Sequence, residues 1–452
     1  MEPTSHAGST PACPYTAGPV PLYEWAMDQD LDIVYAHLRR YGGPVVAVEI
    51  APEITAWLVL SHREVLEVIR NASLYSSDPR RWKAVTHGLL PEGTPLLPLL
   101  GPRPAVSRVD GEEHTRHRRA MTAALGHIDP RQLGRLVRHL AHALVDAWPA
   151  RGTADLMAQY ARPLVWQVFA HLLGVSEGSV STVDTLLGTL VNAVPEAVPS
   201  EVELLNALRR LVAERAAAPG ADLSSWLAQE SSLTDDEIAH NLLVLALIGG
   251  ESTIGWIGNA VRALLTQDGP APVTGAGGLV PRLAEHALRT GAPVPNITGR
   301  WATADVILAG CPIRAGDLLI PCLAAANTDP ELRDTPLSRT RAHLAWGTGS
   351  HGCPAKDAAR LITETALEVL LNRLPDLRPD LPDAALRRPS LWRGAPAELP
   401  VAFSATGRTD TGRGAPAHPL NVMDVPAKRR ADRATSEPSP QRWAWWDSFG
   451  GR

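Results

Sequence analysis

The chain has 452 residues, which suggests either about three domains at the usual ~150 residues each or one large enclosed core. A composition of 45% hydrophobic and 20% charged residues excludes disorder throughout, and a net charge of −5 excludes a global basic field that would hold nucleic acid or an anionic membrane. Four cysteines (Cys13, Cys311, Cys322, Cys353), none in C-x-x-C spacing, argue against a disulfide framework and a zinc cluster, and 13 Trp against 3 Phe is unusual for a core.

Residues 1–20 are rich in Pro, Ser and Thr, lack the basic start and apolar stretch of a secretory signal, and read as a flexible lead. A helix is predicted at 31–41, a hairpin at 45–50 and 56–60 around the turn-forming Pro52, and a helix at 61–71. A basic helix follows at 112–125, then a helical stretch at 130–173 broken near Gly152, with more helix at 202–217 and 234–267. The longest apolar run, 242–248, is far shorter than a membrane span, so a cytoplasmic protein with reduced thiols is expected. Strands return at 306–313 and 318–323, a last long helix covers 355–374, and a final strand pair ends near Phe403.

Strands at both ends of a helical chain give no repeating βαβ units. Residues 21–403 are therefore expected to form one large, mainly α domain with small β-sheets, an α+β fold. Residues 404–452 show no period, are filled with Gly, Pro, Ser, Thr and charges, and read as a disordered tail. Its end, Trp443-Ala-Trp-Trp446, reads as an anchor folding back onto an apolar groove, or else as a partner-docking peptide or a mimic of an indole substrate.

The most informative stretch is Ala345-Trp346-Gly347-Thr348-Gly349-Ser350-His351-Gly352-Cys353-Pro354-Ala355. Its glycines satisfy G-x-G-x-x-G, but no βαβ unit surrounds them, and His351 with Cys353 has no second ligand pair to close a zinc site. A third reading is a cysteine thiolate on haem iron, presented by a glycine turn with a helix starting just behind it.

Here the chain resembles the cytochrome P450 family. The haem-loop pattern F-G-x-G-x-H-x-C-x-G is matched from Trp346 to Ala355, with Trp for Phe and Ala for the last Gly. Glu285-His-Ala-Leu-Arg289, an acid and a base four apart, stands for the family's E-x-x-R, followed by Pro293, Arg300 and Ala324-Ala-Ala-Asn-Thr-Asp-Pro330. Upstream, Ile248-Gly-Gly-Glu-Ser-Thr253 resembles the kink A-G-x-(D/E)-T, although paired glycines in a helix also suit a close helix crossing. His114-Thr-Arg-His-Arg118 resembles the helix whose His and Arg bind haem propionates.

The resemblance implies haem b as cofactor, Cys353 as iron ligand, and Trp346, Gly347 and Ala355 against the haem. It implies His114, Arg118, Arg300 and His351 on its propionates, Glu251, Ser252 and Thr253 as the acid and alcohols beside dioxygen, and Glu285, Arg289 and Arg339 as a structural charge network. The expected function is a haem-thiolate monooxygenase or oxidase of specialised metabolism, hydroxylating or coupling a small molecule such as an aromatic cyclic dipeptide. A ferredoxin and its reductase would supply electrons, docking near Arg116, Arg119 and Lys356. The alternative is a haem-binding signalling or interaction protein of an actinobacterial signalling operon, without turnover.

Overall fold

Alternating burial along Val45–Ala51 (β2) and Ile54–Val59 (β3) closes the expected hairpin in the computed structural model, which describes residues 18–149, 151–230, 232–266, 278–332, 343–380 and 390–404. The hairpin is the seed of a six-stranded sheet. Val20–Pro21 (β1) joins β2 in parallel, and Leu318–Pro321 (β9) joins β3 in parallel. Arg300–Ala302 (β6) and then Tyr75–Ser76 (β4) extend it antiparallel, giving the order β1-β2-β3-β9-β6-β4. Segments from both ends of the sequence are thereby joined in one sheet. Val306–Leu308 (β7) and Cys311–Ile313 (β8) form a separate hairpin.

The break near Gly152 is a strand, Arg151–Asp155 (β5), which pairs with Pro400–Ser404 (β11). Beside them lies Arg378–Pro379 (β10). Nothing local marks residues 151–155 as extended, because their partner lies about 250 positions away in sequence.

Helices fill the remainder: Gly111–Gly126, Pro130–Asp146, Arg162–Leu173, Ala197–Ala217, Leu279–Thr290 and Lys356–Arg373 among them. A helix at Val180–Val191 was not foreseen, since its Ser, Thr and Gly residues have weak helix propensity and blur the apolar period. The longest element runs through Asp235–Leu265 and starts at a capping box between Thr234 and Glu237. It is long and apolar enough to cross a membrane, yet 78% of its most apolar stretch is buried inside the protein, as in a core helix.

Within that helix, Leu245–Gly250 is π-helical. A Cβ at Gly250 would meet the Trp166 ring at 2.5 Å, so the bare backbone there is what lets the Arg162–Leu173 helix close in. Downstream, Trp256 donates to the Ala284 carbonyl at 2.7 Å and ties Glu251–Leu265 to Leu279–Thr290. Among the described residues Cys322 and Cys353 are free thiols. Residues 1–17 and 405–452, and with them the lead, the tail and its tryptophans, lie outside the described residues.

Candidate active site

The cysteine loop is fixed from both sides. Gly347 and Gly349 adopt φ of 63° and 71°, which side chains rarely tolerate, and so fold the chain back on itself. The Gly352 N–H then donates to Gly349 O at 3.1 Å, and the Cys353 N–H to Trp346 O at 2.8 Å. Arg118 reaches across from the Gly111–Gly126 helix to the Gly352 carbonyl at 2.5 Å. Lys356–Arg373 begins three residues after the cysteine, so the N–H of Ala355 points back at the sulfur. Burial pushes the Cys353 thiol up, and that N–H with the charges of Arg118 and Lys356 pulls it partly back.

The thiol opens onto a cavity of about 250 Å³. Trp346, Gly347 and Ala355 line it on the cysteine side, and Trp346 rests edge-on against Trp256 with ring centroids 5.1 Å apart. Gly249, Ser252 and Thr253 line the same cavity. Both hydroxyls donate to the Gly249 carbonyl, at 3.2 Å from Ser252 and 2.7 Å from Thr253.

Glu251 turns away from this cavity. It is buried and paired with Arg162 at 3.0 Å and Arg393 at 3.5 Å, and it lines, with Ser252, a smaller cavity beside this one. The glycine pair divides its work in the same way: Gly250 takes the helix crossing and Gly249 lines the cavity.

Two arginines and two histidines, Arg118, Arg300, His114 and His351, line one edge of the cavity. His351 shares its Nε2 with Asp110 at 3.2 Å. Burial pushes the Asp110 carboxyl up, but hydrogen bonds from His351, Ser76 and the Ser77 N–H outweigh it and bring the group to about 2. The Nε2 of His114 is buried without a partner, and its pKa falls to about 4 through burial and then the neighbouring charges of His351 and Arg118. Arg300 is buried and finds one acceptor among the described residues, the Gly299 carbonyl at 2.9 Å. Burial lowers it to about 10, against the pull of Asp110.

These residues fit haem b. An orphaned imidazole nitrogen and an under-used guanidinium on one edge suit its two carboxylates, the apolar walls suit its ring, and the half-buried thiol suits its iron.

Glu285 departs from the expected network. E-x-x-R places its acid three residues before its base; here the gap is four, and His286 holds the matching position. No hydrogen bond or ion pair joins Glu285 to Arg289 among the described residues. Instead Glu285 takes His343 and Arg360, each at 3.0 Å. The other His343 nitrogen accepts from the Ala345 N–H at 3.2 Å, so the carboxylate holds the chain just before the cysteine loop and the helix just after it. Arg339 and its competitor Arg341 lie outside the described residues. In the proposed docking patch Arg116 is neutralised by Glu237, while Arg119 and Lys356 are exposed.

A second cavity of about 60 Å³ adjoins the first. Leu99, Ile248, Val294 and Trp392, from four separate parts of the sequence, meet in its lining. Ser107 and Arg108 line both cavities and were missed, because nothing around them in sequence has a period or motif.

No protein-family model matches the chain. It is 30% identical over 407 residues to cytochrome P450 107B1 of Saccharopolyspora erythraea, a match covering 85% of this chain and 99% of that protein. It is 32% identical over 390 residues to the mycinamicin IV hydroxylase/epoxidase of Micromonospora griseorubida (77% and 89% covered) and 32% over 403 residues to the nocardicin C N-oxygenase of Nocardia uniformis subsp. tsuyamanensis (83% and 96%). The solved structure of CYP154C4 from Streptomyces sp. W2061 superposes with a TM-score of 0.75 at 28% identity, covering 85% of this chain and 98% of that one. With this fold, this cavity and these relatives, the chain belongs to the cytochrome P450 family and is a haem b-dependent monooxygenase of the kind found in specialised metabolism.

Proposed function

We propose that the chain tailors a small organic molecule by hydroxylation or oxidative C–C or C–N coupling, with Cys353 as the thiolate ligand of haem iron. The observation that carries this reading is one cavity lined both by Cys353 and by Ser252 and Thr253. When bound, haem supplies dioxygen activation, which a thiolate ligand favours by pushing electron density onto iron. Arg118, Arg300 and the imidazoles of His114 and His351 would hold its carboxylates, and Trp346 would contribute apolar contact to it.

Ser252 replaces the usual Thr and keeps the hydroxyl without the methyl that restricts its rotamers. Ser252 and Thr253, which line the cavity, hold protons at their Oγ atoms. Glu251 pairs with Arg162 and Arg393 and lines the second cavity together with Ser252. The polypeptide reads as one haem domain over 21–403 acting in the cytoplasm, with residues 404–452 as an appended tail. Electrons come from a ferredoxin and its reductase, docking near the exposed Arg119 and Lys356.

The ferrous–CO spectrum tests the ligand. The native protein should show the thiolate-type band, and Cys353→Ala should lose it while haem stays bound; an unchanged band overturns the assignment. A second reading, a haem-binding signalling protein, draws on the displaced Glu285, on Ser252 and on Ala355. A spin-state shift and product formation with macrolides, terpenes or aromatic cyclic dipeptides would eliminate it.

A further inference from the structure

Arg108 stands at the junction of the two cavities and lines both, beside Ser252 and Thr298. It is 6% exposed. Its guanidinium donates to the carbonyls of Leu99 and Thr298 and to the Thr298 hydroxyl at 2.8 Å. Those bonds engage Nη1 and Nη2 and leave the Nε–H unused. Among the described residues no carboxylate pairs with it.

The other charges of the second cavity are treated differently. Arg103 is paired with Glu201 at 2.6 Å, and Arg393 shares Glu251 with Arg162. Burial and then the charges of Arg103 and Arg300 lower its hold on the proton, Glu201 pulls the other way, and the guanidinium lies over the Trp301 ring with its carbon 5.9 Å from the centroid. A buried guanidinium left without an anion is costly, and the usual remedy is a partner brought from outside. Most of the surrounding wall is apolar, including Leu99, Val191, Leu247, Val294 and Trp392.

We propose that Arg108 is the anchor of an anionic subsite, so that the substrate is a small molecule with an apolar body and a carboxylate that docks on this guanidinium. This rests on the haem-thiolate reading and narrows its substrate class, since an aromatic cyclic dipeptide is neutral. The carboxylate end sits at the wall between the cavities, and the apolar body extends from there past Val244, Ile248 and Val294, which line both, into the cavity that holds Cys353. The position to be oxidised is then set by its distance from the acid group.

The test uses the haem-loaded protein and ω-(imidazol-1-yl)alkanoates of graded chain length, with the matching primary amides. The imidazole coordinates iron and gives an optical titration for every probe. At the chain length that reaches Arg108, the acid should bind about tenfold or more tightly than its amide. Arg108→Gln should abolish that preference while haem content and the ferrous–CO band persist, and Arg108→Lys should restore part of it.

Equal binding of acid and amide at every length in the native protein overturns the proposal, with no variant needed. So does an acid preference that survives Arg108→Gln. A drop in haem content on Arg108→Gln with the preference intact assigns the guanidinium to a haem carboxylate and overturns it as well. A native protein without the thiolate-type band would instead overturn the underlying haem-thiolate reading, a result read independently of the acid–amide ratio.

Discussion

Glu251 illustrates how a motif residue can carry a structural charge pair. Its carboxylate is 4% exposed and lies between Arg162 and Arg393, so Glu251→Gln leaves two guanidiniums short of their anion. A loss of about 2–3 kcal/mol is expected in urea melts of the haem-loaded protein, below the range for fully buried pairs because Arg162 stays 24% exposed. Gly250→Ala tests the helix crossing. The Trp166 ring cannot retreat freely, because its Nε1 donates to Asp184 at 2.7 Å, so a cost of about 1–3 kcal/mol in the same melts is expected. Gly249→Ala, whose Cβ would meet Phe169 at 3.4 Å, should cost less. Both glycines were visible in the sequence as an anomaly, but the division of labour between them was not, since it depends on which face meets which ring.

At the scale of elements, the Asp235–Leu265 helix carries a pH-dependent weakness. Burial first, and then the charge of Arg103 against the opposing pull of Asp236, bring His240 down to about 4 from the ordinary 6.5. The unfolded chain therefore binds this proton more tightly than the folded one, and stability falls as pH drops through 6.5 toward 4. The loss should reach about 2 kcal/mol at most after solvent screening, and His240→Gln should flatten that slope in urea titrations. Elements built from local pattern were legible in the sequence: the 45–60 hairpin, the cysteine helix and the long central helix. Elements built on distant partners were not. The strand at Arg151–Asp155 exists because of Pro400–Ser404, and the partners of Glu285 are separated from it by 58 and 75 positions. The cysteine loop could be read because its constraint is local, with positive-φ glycines and a following helix within a dozen residues. Arg108 could not, because an arginine at a cavity junction has no neighbours in sequence that announce it.

For the whole molecule, the arrangement of Glu285 has a consequence in time. A single carboxylate receives His343 from the segment entering the cysteine loop and Arg360 from the helix leaving it, so both flanks close on one group. The colour of the haem protein is set by the sulfur and should not change when that closure is weakened. The rate at which haem escapes is another matter, because escape requires the two flanks to part. Glu285→Gln should therefore keep the ferrous–CO band where it is and still pass haem to apomyoglobin several times faster than the native protein, followed by absorbance in the Soret region. A transfer rate equal to that of the native protein would show that the loop is kept shut elsewhere. In this chain the carboxylate one position away from the family's spelling is thus expected to act as a latch on residence time, a property that neither the motif nor the spectrum reveals.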